Sequence, residues 1–182
     1  SVMLTTATTD ADRALWPSAA GVTLVASAGA ALEVALTTCN TGASPFPLTQ
    51  ALHTYFAVPD IDRVRVEGFD GLDYLDKVDA NARKRWSGPI RFAGEVDRIY
   101  LGHAGAATIV DEALGRSIVV EKSGSRSSVV WNPWIERCRQ LADMGPDGYR
   151  GMLCVETANA GDDVVVLAPG ASHTLAARIH LR

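Results

Sequence analysis

A histidine within an alternating stretch is the first residue whose type and setting suggest acid–base chemistry. His53 lies in Leu48–Phe56, where leucine and phenylalanine recur at every fourth position. If this stretch is a strand, His53 shares the opposite face with Ala51 and Tyr55. An imidazole has an ordinary pKa of about 6.5, so it can act as a general acid or base near neutral pH.

Two carboxylates occur in similar settings. Glu156 ends the predicted strand Met152–Glu156, on a face with a methionine and a cysteine, where a carboxylate is either exposed or has a raised pKa. Asp97 begins the predicted strand Asp97–Leu101, on a face with two aliphatic side chains. Taken singly, each has a simpler interpretation. A strand histidine is often just hydrogen-bonded, and carboxylates at strand ends usually face water. Sequence spacing alone leaves these alternatives open.

Other site chemistries have weaker signals. His103, His173 and His180 lie far apart, and no His-x-His or Cys-x-x-Cys pair occurs, so we predict no metal site. The polar segment Ser123–Ser128 lacks the pattern of a phosphate-binding loop and is predicted to close a hairpin. A Gly-x-Ser-x-Gly nucleophile motif is absent.

Composition and charge narrow the class of protein. The 182 residues include 47% hydrophobic and 21% charged residues, the balance of a soluble globular protein. A net charge of −4 argues against nucleic acid as a partner, and Arg83–Arg85 is predicted to be a solvated loop. No run of apolar residues is long enough to span a membrane. Three cysteines, an odd count, indicate a reducing cytoplasmic location without a disulfide framework.

The elements that must position these residues are short strands. Alternation of period two recurs along the chain, whereas helical periodicity is hard to find. Strands are predicted around residues 22–25, 31–36, 64–67, 108–110, 117–120, 128–131, 164–167 and 174–181, separated by Gly, Asn and Pro turn signals. About ten such strands predict an all-β antiparallel sandwich or barrel with little helix. Without a linker or repeat, residues 1–182 are predicted to form a single domain.

Several motifs in consistent order resemble the hexose-6-phosphate mutarotases, also called glucose-6-phosphate 1-epimerases, of the galactose mutarotase-like superfamily. They are Ala51-Leu52-His53-Thr54-Tyr55-Phe56, Asp60-Ile61, Gly68-Phe69-Asp70-Gly71, Tyr74-Leu75-Asp76-Lys77, Asp97-Arg98-Ile99-Tyr100, Val130-Trp131-Asn132-Pro133-Trp134, Ala142-Asp143-Met144, Cys154-Val155-Glu156-Thr157-Ala158 and Leu167-Ala168-Pro169-Gly170. The resemblance covers about residues 31 to 181.

The resemblance implies a fold, an activity and roles for three residues. The fold is a galactose mutarotase-like β-sandwich whose concave face binds a sugar or sugar phosphate, and the activity is that of an aldose 1-epimerase. His53 matches the general acid, Glu156 the general base, and Asp97 an aspartate that hydrogen-bonds the sugar. No cofactor is implied. Family members carry a further N-terminal portion with extra strands, a second histidine and phosphate-binding arginines, so the sandwich is expected to be incomplete on that side. An open sheet edge there favours a homo-oligomer.

The implied reaction suits these residue types. Mutarotation removes the proton of the anomeric hydroxyl and protonates the ring oxygen, and the reverse transfers close the ring on its other face. An alternative is a non-catalytic carbohydrate-binding sandwich, in which Asp97, Trp131 and Trp134 hold a sugar. The two tryptophans are equally consistent with core and loop packing.

Overall fold

Two antiparallel sheets of seven strands each dominate the computed structural model, which describes all residues from Ser1 to Arg182. Of these residues, 51% lie in strands and 12% in helices, which confirms the predicted all-β class and its small helix content. In chain order the strands are β1 (Val2–Ala7), β2 (Ala20–Ala28), β3 (Leu32–Asn40), β4 (Phe46–Leu48), β5 (Gln50–Leu52), β6 (Tyr55–Ala57), β7 (Val64–Glu67), β8 (Asp73–Asp76), β9 (Ala82–Arg85), β10 (Val96–Leu101), β11 (Ala107–Asp111), β12 (Arg116–Ser123), β13 (Ser127–Asn132), β14 (Met152–Asn159), β15 (Val165–Leu167) and β16 (Ser172–Leu181).

The helices are short. There are two α-helices, α1 (Asp10–Leu15) and α2 (Trp134–Arg139). Three short 3-10 helices also occur, at Ile61–Arg63, Lys77–Asp79 and Gly148–Gly151. Neither α-helix is long or apolar enough to cross a membrane.

The strand order places the site-bearing strands next to one another. The first sheet has the order β1-β2-β3-β16-β12-β11-β7. The second has the order β5-β14-β13-β10-β8-β9, and β6 also pairs with β14; β4 and β15 form a separate pair. All pairs are antiparallel, and β14, β13 and β10 lie side by side in the middle of the second sheet.

An apolar core of 20 buried residues lies between the two sheets. It includes Ile109 on β11, Tyr100 on β10, Val130 on β13, and Leu153 and Val155 on β14. Because side chains alternate along a strand, the inner face of β10, β13 and β14 packs into this core. Their other face points away from this core.

Three local predictions were wrong in instructive ways. The single strand predicted over Leu48–Phe56 is divided among three short strands, β4, β5 and β6, with interruptions at Thr49 and at His53–Thr54. Arg83–Arg85 is part of the edge strand β9 instead of a loop, and its cations pair with acidic side chains. Ser123–Ser128 closes no hairpin, because β12 belongs to the first sheet and β13 to the second. The segment crosses between the sheets.

Candidate active site

His53 and Glu156 face each other across two neighbouring strands that are distant in sequence. Leu52 pairs with Thr157 and Tyr55 with Cys154 in the antiparallel register of β5 and β6 with β14. Counting inward from both pairs places His53 opposite Glu156. The imidazole Nε2 lies 3.3 Å from Oε1 of the carboxylate. The strand register therefore brings together the two residues that the resemblance matched to an acid and a base.

The chain leaves the sheet at His53 and returns at β6. The amide of Thr54 donates to the carbonyl of Leu52 (2.9 Å), so the backbone turns here instead of bonding to β14. The His53 side chain is half-exposed as a result. Its ring stacks on Tyr55 with centroids 4.9 Å apart and meets the edge-on ring of Trp131 at 5.8 Å. These two aromatic rings orient the imidazole.

Glu156 lies in the middle of β14 and is 5% exposed, so the interpretation of this residue as a strand-end carboxylate facing water is wrong. Burial, reinforced by the negative charge of Asp97, raises the pKa of Glu156 to about 7, and Lys77 acts in the opposite direction. Of the two outcomes open for a carboxylate in apolar company, the structure shows the raised pKa.

Asp97 lies two strands away on the same face. It pairs in register with Trp131 of β13, which in turn pairs with Cys154 of β14. The Asp97 carboxylate is largely buried, and its Oδ2 lies 3.0 Å from Nζ of Lys77. The site thus consists of two neighbouring rows of side chains on one face of the second sheet. One row contains Asp97 and Trp131, and the other contains Glu156 and His53.

An open cleft of about 390 Å³ lies over these two rows. Its floor is apolar, from small and aliphatic side chains of β10, β13 and β14, and His53, Glu156 and Asp97 project into it. Sequence reasoning missed three charged residues of this cleft, Lys77, Glu95 and Arg137. Lys77 belongs to a quoted motif, which was the one available signal, whereas nothing in the sequence pattern marked Glu95 or Arg137.

The two tryptophans of the Val130–Trp134 motif have different positions. Trp131 lines the cleft beside His53, and Trp134 packs on Tyr149 and the core. The core interpretation thus fits only Trp134, and the sugar-facing interpretation fits only Trp131.

Between these tryptophans, Asn132 is fully buried and saturated with hydrogen bonds. Its Nδ2 donates to the carbonyls of Tyr149 (2.9 Å) and Met152 (2.8 Å), and its Oδ1 accepts from the amide of Trp134 (2.9 Å). The side chain therefore fixes the end of β13 against the start of β14, the two strands that carry Trp131 and Glu156.

One cluster near the acid–base pair offers donor atoms for a metal. Ligand atoms of His53, Cys154 and Glu156 lie within 4.8 Å of one another. However, burial, and then the charge of Glu156, raises the pKa of the Cys154 thiol far above its usual range, whereas a metal binds the thiolate. The donor set is a poor fit to a resident cation, and the absence of a metal remains a prediction.

The chain is similar in sequence to two proteins provisionally named glucose-6-phosphate 1-epimerases. The chain is 39% identical over 164 residues to a Cenchrus ciliaris protein provisionally named glucose-6-phosphate 1-epimerase, covering 87% of this chain and 50% of that protein. An Escherichia coli K12 protein with the same provisional name is 40% identical over 129 residues, or 70% and 44% of the two chains. The chain thus spans about half the length of these relatives.

A solved structure extends the agreement to three dimensions. A Salmonella typhimurium protein provisionally named a mutarotase superposes with a TM-score of 0.87 at 30% identity, covering 98% of this chain and 60% of that one. The sequence model of the aldose 1-epimerase family matches residues 1–180. This chain, with its galactose mutarotase-like fold, therefore belongs to the aldose 1-epimerase family.

Proposed function

We propose that this chain carries the acid–base pair of an aldose 1-epimerase that interconverts the α and β anomers of a hexose 6-phosphate. The observation that carries the proposal is the pairing of a buried glutamate, Glu156, whose pKa is raised to about 7, with His53 at 3.3 Å. A sugar-binding protein needs neither a proton acceptor nor a proton donor of matched strength. A mutarotase needs both at one carbon atom.

The reaction can be followed atom by atom. Ring opening begins when the Glu156 carboxylate accepts the proton of the anomeric hydroxyl O1 and protonated His53 donates a proton to the ring oxygen O5. The C1–O5 bond breaks, and a C1–O1 double bond forms. The aldehyde then rotates about C1–C2, and O5 attacks the other face of C1. On closure O5 returns its proton to His53, and O1 regains a proton from Glu156.

The geometry supports this division of labour. O1 and O5 are both bonded to C1, so an acid and a base a few ångströms apart can serve both oxygens. His53 is half-exposed and therefore accessible to a sugar in the cleft, whereas Glu156 is buried beneath it. The Asp97 carboxylate, two strands away on the same face, can accept hydrogen bonds from sugar hydroxyls. Trp131 offers a flat apolar surface for the ring.

The test is exchange NMR between the two anomers of glucose 6-phosphate, with catalytic amounts of the folded protein. Each positioned proton transfer contributes about 10²–10⁴ in rate, so His53→Ala and Glu156→Gln should each lose at least about 100-fold. His180→Ala and Glu136→Gln change the same residue types outside the cleft and should retain parental exchange. Parental turnover in either cleft variant would overturn the assignment. Sugar binding without any catalysed exchange would favour the non-catalytic alternative.

The choice of substrate rests on the relatives, whose provisional names specify glucose 6-phosphate. Comparing glucose with glucose 6-phosphate in the same exchange experiment tests it, because a phosphate-dependent enzyme accelerates only the second. Equal acceleration of both sugars would refute dependence on phosphate.

We also propose that residues 1–182 belong to one cytoplasmic domain, as the C-terminal portion of the family's β-sandwich, and that the protein forms a homo-oligomer. A main core of 20 residues between the two sheets, with a smaller cluster of four, supports a single domain. Support for self-association comes from unpaired sheet edges, such as that of β9 at the end of the second sheet, which can pair with another copy. Light scattering on the purified protein measures the oligomeric state, and fractionation of cells that express the protein tests its location.

A further inference from the structure

Lys77 lines the cleft, and the pairing of β8 with β10 determines its position there. It begins the 3-10 turn Lys77–Asp79 directly after β8, and the carboxylate of Asp76 accepts a hydrogen bond from the amide of Val78 (3.2 Å) to hold that turn. Asp76 pairs with Arg98 in the antiparallel register of β8 with β10, so the next residue, Lys77, lies opposite Asp97. The 3.0 Å contact between Lys77 Nζ and Asp97 Oδ2 follows from this backbone arrangement.

The charges around Glu156 leave Lys77 as the cation that offsets Asp97. From β5, β6 and β14, the titratable neighbours are His53, the phenol of Tyr55 and the thiol of Cys154. Asp97 on β10 and Lys77 in the turn after β8 shift the pKa of Glu156 in opposite directions: Asp97 raises it and Lys77 lowers it.

Two further charged groups, Glu95 and Arg137, line the cleft. Glu95 precedes β10 and Arg137 lies on α2. The positive charge of Arg137 lowers the pKa of Glu95, against the larger raising effect of burial. Neither Glu95 nor Arg137 is among the groups that shift the pKa of Glu156.

We propose that Lys77 is a positioning residue for the acid–base pair: its ammonium group holds and neutralises the Asp97 carboxylate, so that Glu156 can ionise at neutral pH while Asp97 stays aimed into the cleft. The inference rests on the proposed function, since it concerns the same base. Without Lys77, the unopposed charge of Asp97 acts on a glutamate whose ionised form burial already disfavours. Fewer molecules then hold the base in its active form at pH 7.

The size of the effect follows from the exposure of the pair. A charge within a few ångströms moves a pKa by about 1–3 units, but the Lys77 side chain is 47% exposed and partly screened by water. We therefore expect Lys77→Met to raise the midpoint of Glu156 ionisation by about 0.5–1 unit. Asp97→Asn should lower the midpoint, and the double variant should lie near the parent. Lys77→Arg, which keeps the charge, should also lie near the parent.

Carbon NMR titration of ¹³C-glutamate-labelled protein measures this midpoint directly, with the Glu156 signal assigned by its loss in Glu156→Gln. The matched control is Lys84→Met, because Lys84 bridges Asp76 and Asp79 on the same hairpin without lining the cleft. An unchanged midpoint in Lys77→Met, an equal shift in Lys84→Met, or a double variant that titrates like Lys77→Met would each overturn the proposal.

The pH dependence of kcat/KM for anomer exchange provides the second readout. Its acid limb should move with the NMR midpoint in every variant, which a merely structural role of Lys77 would not produce. An acid limb that stays in place while the NMR midpoint moves would refute the role in the reaction. Because the titration needs no turnover, NMR shifts of the expected size in a protein without exchange activity would refute the proposed function and support the effect of Lys77 on Glu156.

Discussion

Replacing Glu156 by glutamine should stabilise the protein, and the gain should depend on pH. The pKa of Glu156 is raised from 4.5 to about 7 in the folded protein. Below pH 4.5 the carboxyl group is protonated in both the folded and unfolded states, so its ionisation contributes nothing to stability. Between pH 4.5 and about 7 only the unfolded chain loses the proton, and the free energy of unfolding falls. Above pH 7 the full penalty applies, about 3 kcal/mol at 1.36 kcal/mol for each unit. Glutamine has nearly the same shape and cannot ionise, so the variant escapes this penalty.

Urea denaturation of parent and variant across a series from pH 4.5 to 8.5 measures this difference. The variant's advantage in the free energy of unfolding should grow through the series by about 3 kcal/mol and level off above pH 7.5. Glu136→Gln, at an exposed site on α2, is the matched control and should stay within about 0.5 kcal/mol of the parent. If the difference in unfolding free energy between the parent and Glu156→Gln is the same at every pH, the conclusion that burial disfavours the ionised form of Glu156 is refuted.

Asn132→Ala removes the side-chain hydrogen bonds of three backbone groups, two of these bonds buried, and should cost at least about 2 kcal/mol of unfolding free energy by urea denaturation; a loss below 1 kcal/mol would contradict the role of this side chain. Gly124→Ala should destabilise far more than Gly115→Ala. Both glycines have positive φ, but only at Gly124 would the new Cβ collide with a carbonyl, that of Thr174. Equal melting temperatures of the two variants would count against the collision.

Alternation along the chain predicted many of the strands, because a half-buried strand exposes every second residue to a different environment, but it did not mark β1, β8 or β9. On β16, Leu175 and Ala177 are buried as the alternation predicts, whereas Leu181 on the same face is 66% exposed. The errors lie where pairing partners decide the outcome. Arg83–Arg85 has the composition of a solvated loop, yet β8 provides a partner strand and acidic side chains that neutralise it. Nothing in the sequence of residues 83–85 itself indicates that β8 will pair with them.

The site shows the same limit more sharply. His53 and Glu156 each had an ordinary explanation, and their separation in sequence gave no reason to place them together. Their meeting depends on the register of β5 and β6 against β14, a long-range property that the resemblance to a family implied and that spacing did not. Lys77 was harder still. Its relation to Asp97 depends on a turn after β8 that keeps the register of β10 for one residue beyond the last strand pair.

The burial of Glu156 links stability to the proposed reaction. Ring opening and ring closure use the same two groups in exchanged roles, so neither group can hold the proton much more tightly than the other without slowing one direction. An ordinary imidazole and an ordinary glutamate differ by about 2 units of pKa, or about 3 kcal/mol. Raising the pKa of Glu156 to about 7 brings this carboxyl group close to the proton affinity of an ordinary imidazole. It does so through the same burial that destabilises the folded protein at neutral pH. The stability gained in Glu156→Gln and the proton affinity needed for mutarotation are therefore expected to be two measures of one desolvation energy.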